Sequence, residues 1–425
     1  MTAEDLTANR RAAGLVVRLA IACRITPVTM AAISAGFSVI AAGWLTLDTT
    51  RADGVALVAA VAVFVTGSAG RVLAVPAPER REPGGRPAAP ADQWGLTACG
   101  VFAEVVVYAG IALSVSLHPA SESPTGPAGA ALGATFAARL GGAGPTGAWR
   151  LAIIAVIIAV LLPLIDAGLH GVSGETGRLR FFGLPGDVRL PLAGGAVLLA
   201  GARPAFLVVL VLGVAAIVAT TIDGTRPGRG RGDVRGLRGD GWLAVRIGGF
   251  VDGRLLPVPP LVVGLMVTGV LVALGLRNLP GALILTPVEA MMLAALGSRH
   301  AHDGRGDWLV PPVLQLAEYV FIAEAGFARG VWPPVTFALV AAAGFRHLDL
   351  AYRVRAGLAS GTDRLGLGWE GRMIVTGIAA AAGGQLVVYP ALALYLWWLT
   401  ARDWVFGWSA GSAGQPAPVS RLHSG

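Results

Sequence analysis

Apolar runs of about 20 residues, the length that crosses the hydrocarbon core of a bilayer, recur along the whole chain. Hydrophobic residues make up 55% of the 425 and charged residues only 14%, which is more apolar surface than one soluble core can hide. The expected fold class is therefore all-α, a polytopic bundle of transmembrane helices. About eleven spans are predicted, at residues 26–47, 54–74, 95–117, 149–170, 189–201, 203–222, 257–276, 280–298, 309–328, 331–347 and 373–400.

Arginine placement predicts the orientation of these spans. The chain has 33 arginines and no lysine. The arginines concentrate in alternate connections between the predicted spans, and seven of them lie from Arg226 to Arg254. The other connections hold little beyond Arg51, Arg139, Arg203, Arg277 and Arg329. Because positively charged connections stay on the cytoplasmic side, we expect a multi-pass protein of the plasma (inner) membrane with a cytoplasmic N-terminus.

A Gly/Arg-rich stretch, DGTRPGRGRGDVRGLRGDG at residues 223–241, divides the chain. It predicts a first bundle at 1–222, a cytoplasmic linker, a second bundle at 242–408 and a polar, disordered tail at 409–425. Arginines in such a linker suit the phosphates of nucleic acids or of anionic lipids. Since the linker lies between spans on the predicted cytoplasmic side, membrane lipid is the expected partner and nucleic acid is not.

The two bundles share sequence features at constant spacings. Trp94 and Glu104 recur at one spacing as Trp308 and Glu318, whereas Pro27–Val28 and Gly67–Ser68 recur at a slightly longer one as Pro257–Val258 and Gly297–Ser298. The spacing changes once, in the connection that follows the second span. These observations predict two parallel repeats, in which Glu104 and Glu318 occupy equivalent positions.

Several ionisable residues fall within the predicted spans or at their inner ends. A carboxylate in hydrocarbon needs a hydrogen-bond or cationic partner, and two interpretations remain open: a polar cavity open to the cytoplasm, or paired groups that lock helices together. We predict Arg71 as the partner of Glu104, and Arg299 or Arg346 as the partner of Glu318. The ionisable residues concerned are Glu104, Asp166, His170, Glu318, Glu324 and Asp349. The candidates for lining a cavity are Glu104, Glu318, Asp349, Arg71, Arg299 and Arg346.

A second polar group occupies the short connection SRHAHDGRGDW. Its histidines and aspartates suit a transition metal or Mg²⁺, and nearby arginines suit phosphate. The alternative is a solvated connection with a turn at Asp303–Gly304. The candidate metal ligands are His300, His302, Asp303 and Asp307.

Several stretches resemble known membrane families. TPVTMAAISAGFSVIAAG and FAEVVVYAGIAL resemble the first and third spans of CDP-alcohol phosphatidyltransferases, and LAEYVFIAEAGF is similar to the latter. RLRFFGLPGDVRLPL, DWLVPPVLQLAEYVF, FRHLDLAYRVR and GLGWEGRM resemble an uncharacterised bacterial membrane domain, domain of unknown function 5941. Relatives of that domain are fused to phosphatidyltransferase-like modules and sometimes to a nucleotidyltransferase, so the resemblance implies a nucleotidyltransferase as a partner. A homodimer partner is the alternative.

The resemblance also implies a test of activity. The transferases carry D-x2-D-G-x2-A-R-x8-G-x3-D-x3-D, four carboxylates that hold a divalent metal against a CDP-linked pyrophosphate. The corresponding stretch here is FVTGSAGRVLAV, with no aspartate, and Gly100 and Leu314 stand four residues before Glu104 and Glu318. We therefore expect a catalytically degenerate protein that binds lipid, nucleotide or a partner enzyme in phospholipid head-group metabolism.

Two further functions remain open from the sequence. One is an active membrane transferase that uses the second-half cluster, and only this interpretation requires Mg²⁺ or another divalent metal as cofactor. The other is a small-molecule transporter, since parallel repeats and buried carboxylates also suit transport.

Overall fold

A computed structural model of the chain describes residues 14–47, 49–74, 90–119, 144–170, 186–224, 242–250, 282–297, 309–355 and 365–411. Within these ranges every regular element is a helix, which confirms the all-α fold class. The thirteen helices of this described part are α1 (Gly14–Ala22), α2 (Pro27–Leu45), α3 (Thr50–Ala74), α4 (Pro90–Leu117), α5 (Gly144–His170), α6 (Gly186–Ala200), α7 (Ala202–Gly224), α8 (Trp242–Phe250), α9 (Ala282–Gly297), α10 (Val310–Ala328), α11 (Pro333–Arg355), α12 (Gly368–Ala382) and α13 (Gln385–Gly411).

Five helices are long and apolar enough to cross a membrane: Pro27–Leu45, Thr50–Ala74, Trp94–Leu117, Gly144–Asp166 and Ala202–Ile222. Two shorter apolar helices are Val188–Ala200 and Leu283–Met292. The eleven predicted spans are therefore matched only in part. The predicted span 257–276, most of the linker 223–241 and residues 412–425 of the predicted tail lie outside the described residues.

The predicted span 373–400 is two helices and not one. α12 ends at Ala382 because Gly383 adopts a left-handed conformation, with φ +78°, and Gly384 N donates to Ala379 O at 2.8 Å. The hydropathy of residues 373–400 does not indicate this break, because Gly383 and Gly384 end the helix without adding polar side chains. α6 and α7 are separated in the same way by Gly201, with φ +92°.

Each half of the chain packs its own helices together. In the first half α2 packs on α3 and α4, α5 packs on α4 and α7, and α6 packs on α3 and α7. In the second half α9 packs on α8 and α12, α10 on α11 and α12, and α11 on α13. Most of the buried apolar residues form one core that draws on both halves.

The two halves meet chiefly where α4 and α5 contact α11. A Cβ added to Gly344 of α11 would lie 2.7 Å from Cγ2 of Val160 on α5, so only glycine allows this approach. Nearby, the Thr97 and Tyr352 hydroxyl oxygens are 2.9 Å apart. The central helices of the two halves are therefore closely packed against each other.

The outer faces of several helices expose large apolar side chains. Val58 on α3, Val211 on α7 and Leu394 on α13 are 70%, 64% and 71% exposed. Exposed apolar faces of this kind are compatible with a lipid environment. They explain how a chain this apolar folds without hiding all its apolar surface.

Candidate functional site: two buried ion pairs

The first ion pair joins α10 to α12 in the second half. Glu318 and Arg372 have no exposed surface. Arg372 Nε donates to Glu318 Oε1 at 2.5 Å, and its Nη2 donates to Oε2 at 2.9 Å. This two-point geometry is the strong form of a charge-assisted hydrogen bond.

His347 and Tyr319 extend this pair. Arg372 Nη2 also donates to His347 Nε2 at 2.6 Å, and the Tyr319 hydroxyl lies 2.6 Å from His347 Nδ1. A guanidinium nitrogen only donates, so Nε2 accepts and the neutral imidazole carries its proton on Nδ1, which donates to the Tyr319 oxygen. Arg372 Nη1 donates to Gly366 O at 2.7 Å. All three nitrogens of Arg372 therefore have acceptors.

A second group of charges lies on the same helix as His347. Arg346 Nη1 donates to Asp403 Oδ2 at 2.7 Å and lies 3.3 Å from Asp349 Oδ2. Arg353 Nε lies 3.0 Å from Asp349 Oδ2, and Arg353 Nη2 donates to the Asp403 carbonyl. All four side chains are buried. Two arginines and two aspartates balance in charge, and together they join α11 to α13.

The first half contains a simpler pair. Arg189 Nη2 on α6 donates to Glu104 Oε1 on α4 at 2.8 Å, and the Tyr108 hydroxyl donates to Glu104 Oε2 at 2.8 Å. Arg189 is 3% exposed, Glu104 2% and Tyr108 0%. An arginine and a tyrosine thus hold the two oxygens of the carboxylate that the sequence placed within a span.

The two Glu–Arg pairs occupy similar places in their halves. One constant spacing relates Arg189 to Arg372, Asp166 to Asp349, and Gly201 to Gly384. Each arginine lies near the start of a helix of 15 residues that is followed by a glycine break. This spacing is shorter than the one between the two glutamates, chiefly because the connection between α4 and α5, residues 118–143, has only residues 329–332 as its counterpart, and the rest of the difference falls in the adjoining helix ends.

The structure corrects the predicted partners of the two glutamates. Arg189 and Arg372 hold them, whereas Arg71 Nη2 lies 3.5 Å from Ser68 Oγ and Arg346 pairs with two aspartates. The predicted spans begin at 189 and 373, and the sequence predicts both partner arginines in the connections before them. Helices α6 and α12 begin earlier than these predicted spans, so the two arginines lie inside helices.

The other candidate residues are dispersed. Asp166 and Glu324 are partly exposed, and the His170 side chain falls outside what the structure describes. Arg299 and the four predicted metal ligands, His300, His302, Asp303 and Asp307, also lie outside the described residues. Among the residues that are described, no group of three His, Cys, Asp or Glu side chains is placed to hold a metal ion.

Comparison with known proteins places the second half in a family context. No curated protein and no solved structure matches the chain. Residues 229–413, which include helices α8–α13 and both charged groups of the second half, match a family described as a family of unknown function (DUF5941).

Proposed function

We propose that this chain is an integral membrane protein made of two related helical bundles in parallel repeats. Support comes from five helices able to cross a membrane and from outward apolar side chains. The repeat is supported by three constant spacings, which relate Pro27 to Pro257, Glu104 to Glu318, and Arg189 to Arg372. Each change of spacing falls in a connection between helices and in the helix ends beside it. The recurring Glu–Arg pair is the polar element common to both bundles.

We further propose that the protein binds a membrane component without transferring a phosphatidyl group. The observation that carries this proposal is that most buried charges of the described second half are engaged by one another: Arg372 holds Glu318, and Arg346 holds Asp349 and Asp403. A metal-dependent transferase needs carboxylates available to a divalent cation, and the four-aspartate motif is missing from the sequence. The bound component is a phospholipid, a lipid-linked nucleotide, or a partner such as a nucleotidyltransferase or a second copy of the chain.

A turnover assay tests this proposal. Purified full-length protein in detergent is given labelled CDP-diacylglycerol, Mg²⁺ or Mn²⁺, and a panel of alcohol acceptors. We expect CMP release no greater than in a protein-free control, together with thermal stabilisation by CDP-diacylglycerol. Metal-dependent CMP release that is lost in Asp303→Ala or Asp307→Ala would establish the active transferase in place of this proposal.

One observation favours transport as a second candidate. The apolar segments break at corresponding glycines of the two halves, Gly201 and Gly383–Gly384. Short helices that are interrupted in both repeats are a feature of transporter binding sites. Sealed liposomes distinguish the two functions. Protein-dependent uptake of glycerol phosphate that Glu104→Gln abolishes would support transport, whereas no uptake together with lipid binding supports the binding function.

A further inference from the structure

Arg189 has hydrogen-bond donors that the described residues do not fill. Within the described part of the chain, only its Nη2 is engaged, by Glu104. Nε and Nη1 are buried, and no acceptor in the part of the chain that the structure describes lies within hydrogen-bond distance of them. A buried donor without an acceptor costs free energy, because the water that it bound in the unfolded chain is not replaced. An acceptor from another source would remove this cost.

Arg372, the corresponding arginine of the second half, has an acceptor for each of its three nitrogens. Arg372 gives Nε and Nη2 to Glu318, shares Nη2 with His347, and gives Nη1 to the Gly366 carbonyl. In the first half the second oxygen of Glu104 accepts from Tyr108 and not from Arg189 Nε, and the residue at the same spacing from Gly366 is Gly183, which lies outside the described residues. The two bundles therefore share the ion pair but differ in what surrounds the arginine.

The location of Arg189 suits an anion. Glu104 is the eleventh of the 24 residues of the span Trp94–Leu117, so at 1.5 Å per residue the pair lies about 15 Å or more from either end of that span. Arg189 is the fourth residue of α6, so the N–H groups at the start of this helix lie close along the chain. The start of a helix attracts negative charge.

We propose that Arg189, through Nε and Nη1, binds the oxygens of a phosphate group taken up inside the first bundle, and that Arg372 is a structural counterpart without ligand. Guanidinium groups are well suited to phosphate because their donors are planar and permanently charged. This inference rests on the proposed binding function and names its ligand chemistry. The phosphate belongs either to a phospholipid or to a soluble phosphate ester that reaches this depth.

The test uses full-length protein in dodecyl maltoside micelles, which contain no phosphate. Thermal stability and binding are measured with inorganic phosphate, phosphatidylglycerol, diacylglycerol and acetate. We expect the phosphate-bearing probes, and not diacylglycerol, to raise the melting temperature. A response to inorganic phosphate identifies a soluble source, and a response to phosphatidylglycerol alone identifies the lipid. Equal stabilisation by acetate, or by diacylglycerol, overturns the phosphate assignment.

Matched variants test which of the two arginines is responsible for the phosphate-dependent stabilisation. Arg189→Gln is expected to weaken phosphate binding about tenfold or more, whereas Arg372→Gln lowers basal stability but keeps the phosphate-dependent shift. Arg189→Lys keeps a cation for Glu104 but removes the Nε and Nη1 donors, so it is expected to reduce the response, and it decides the matter if Arg189→Gln does not fold. No response to any phosphate probe, or an unchanged response in Arg189→Gln and Arg189→Lys, means that internal water or the chain itself fills these donors, and overturns the proposal. CMP release in the turnover assay would contradict the proposed function, whereas the interpretation of phosphate binding at Arg189 would not change.

Discussion

Replacing Glu318 with leucine isolates the energetic role of the buried pair in the second bundle. The substitution removes two charge-assisted hydrogen bonds, at 2.5 and 2.9 Å, from a site with no solvent exposure. Arg372 keeps the Gly366 carbonyl and His347 as acceptors but loses the carboxylate that balances its charge. Breaking one side of a buried pair in this way costs about 3–5 kcal/mol, so we expect a loss of that size in the free energy of unfolding.

Arg372→Met leaves the glutamate unpaired and is expected to cost a similar amount. The double variant Glu318→Leu/Arg372→Met contains neither charge of the pair, and its remaining cost comes from Gly366 and His347, which lose a donor at about 1–3 kcal/mol each. The loss in the double variant should therefore fall short of the sum of the single losses, by about 4 kcal/mol at the midpoints of these ranges.

Equilibrium unfolding in mixed detergent–SDS micelles measures these differences. Glu324→Leu is the matched control, because Glu324 lies on the same helix but is partly exposed. Its effect should stay within about 0.5 kcal/mol. Additive single losses, or a Glu318→Leu protein as stable as the control, would show that the pair does not lock α10 to α12.

Three further substitutions test other contacts of the described residues by the same unfolding measurement. Tyr108→Phe removes a hydroxyl that donates to a buried carboxylate at 2.8 Å and should cost about 1.5–3 kcal/mol; an effect below about 0.5 kcal/mol would contradict this. Gly344→Ala places a Cβ 2.7 Å from Val160 and should cost about 1–3 kcal/mol, with recovery in the Gly344→Ala/Val160→Ala double variant; without recovery, the contact between halves is not the cause. Asp403→Asn removes a charge from Arg346 and should cost about 3 kcal/mol, whereas a neutral effect would mean that Asp349 alone suffices.

The sequence predicted the helices well where an apolar run is also one helix. Residues 309–328 and 54–74 were predicted as spans, and α10 covers Val310–Ala328 and α3 covers Thr50–Ala74. The prediction was wrong at 373–400, because Gly383 ends a helix through its backbone conformation, which hydropathy does not measure. It also placed the starts of α6 and α12 late, because the charged first turns of these helices resemble loops.

Burial of Glu104 and Glu318 was predicted correctly, but their partners were not. The partners come from helices 85 and 54 residues further along the chain, and tertiary packing decides which arginine reaches each carboxylate. One signal in the sequence points to them. GLPGDVR and GLGWEGR, which end at Arg189 and Arg372, share the pattern G-L-x-x-acid-x-R. This shared pattern marks the two arginines as equivalent positions, and the tertiary structure shows which carboxylate each one contacts.

One difference between the two halves, at this same spacing, involves two residues that pair. Where the second half has Arg346, the first has Pro163, and where the second has Asp403, which pairs with Arg346, the first has Thr220. A buried charge is tolerated only with a partner, and at these two positions the first half has neither charge. Asp349, the other aspartate that contacts Arg346, has an aspartate, Asp166, as its counterpart.

The difference at Arg189 is of another kind, because its Nε and Nη1 have no acceptor among the described residues, whereas Arg372 gives these nitrogens to Glu318 and to the Gly366 carbonyl. If the role of the arginine were only structural, we would expect the protein to supply acceptors for all its donors, as it does for Arg372. The first bundle is therefore where a ligand supplied from outside the chain should be sought.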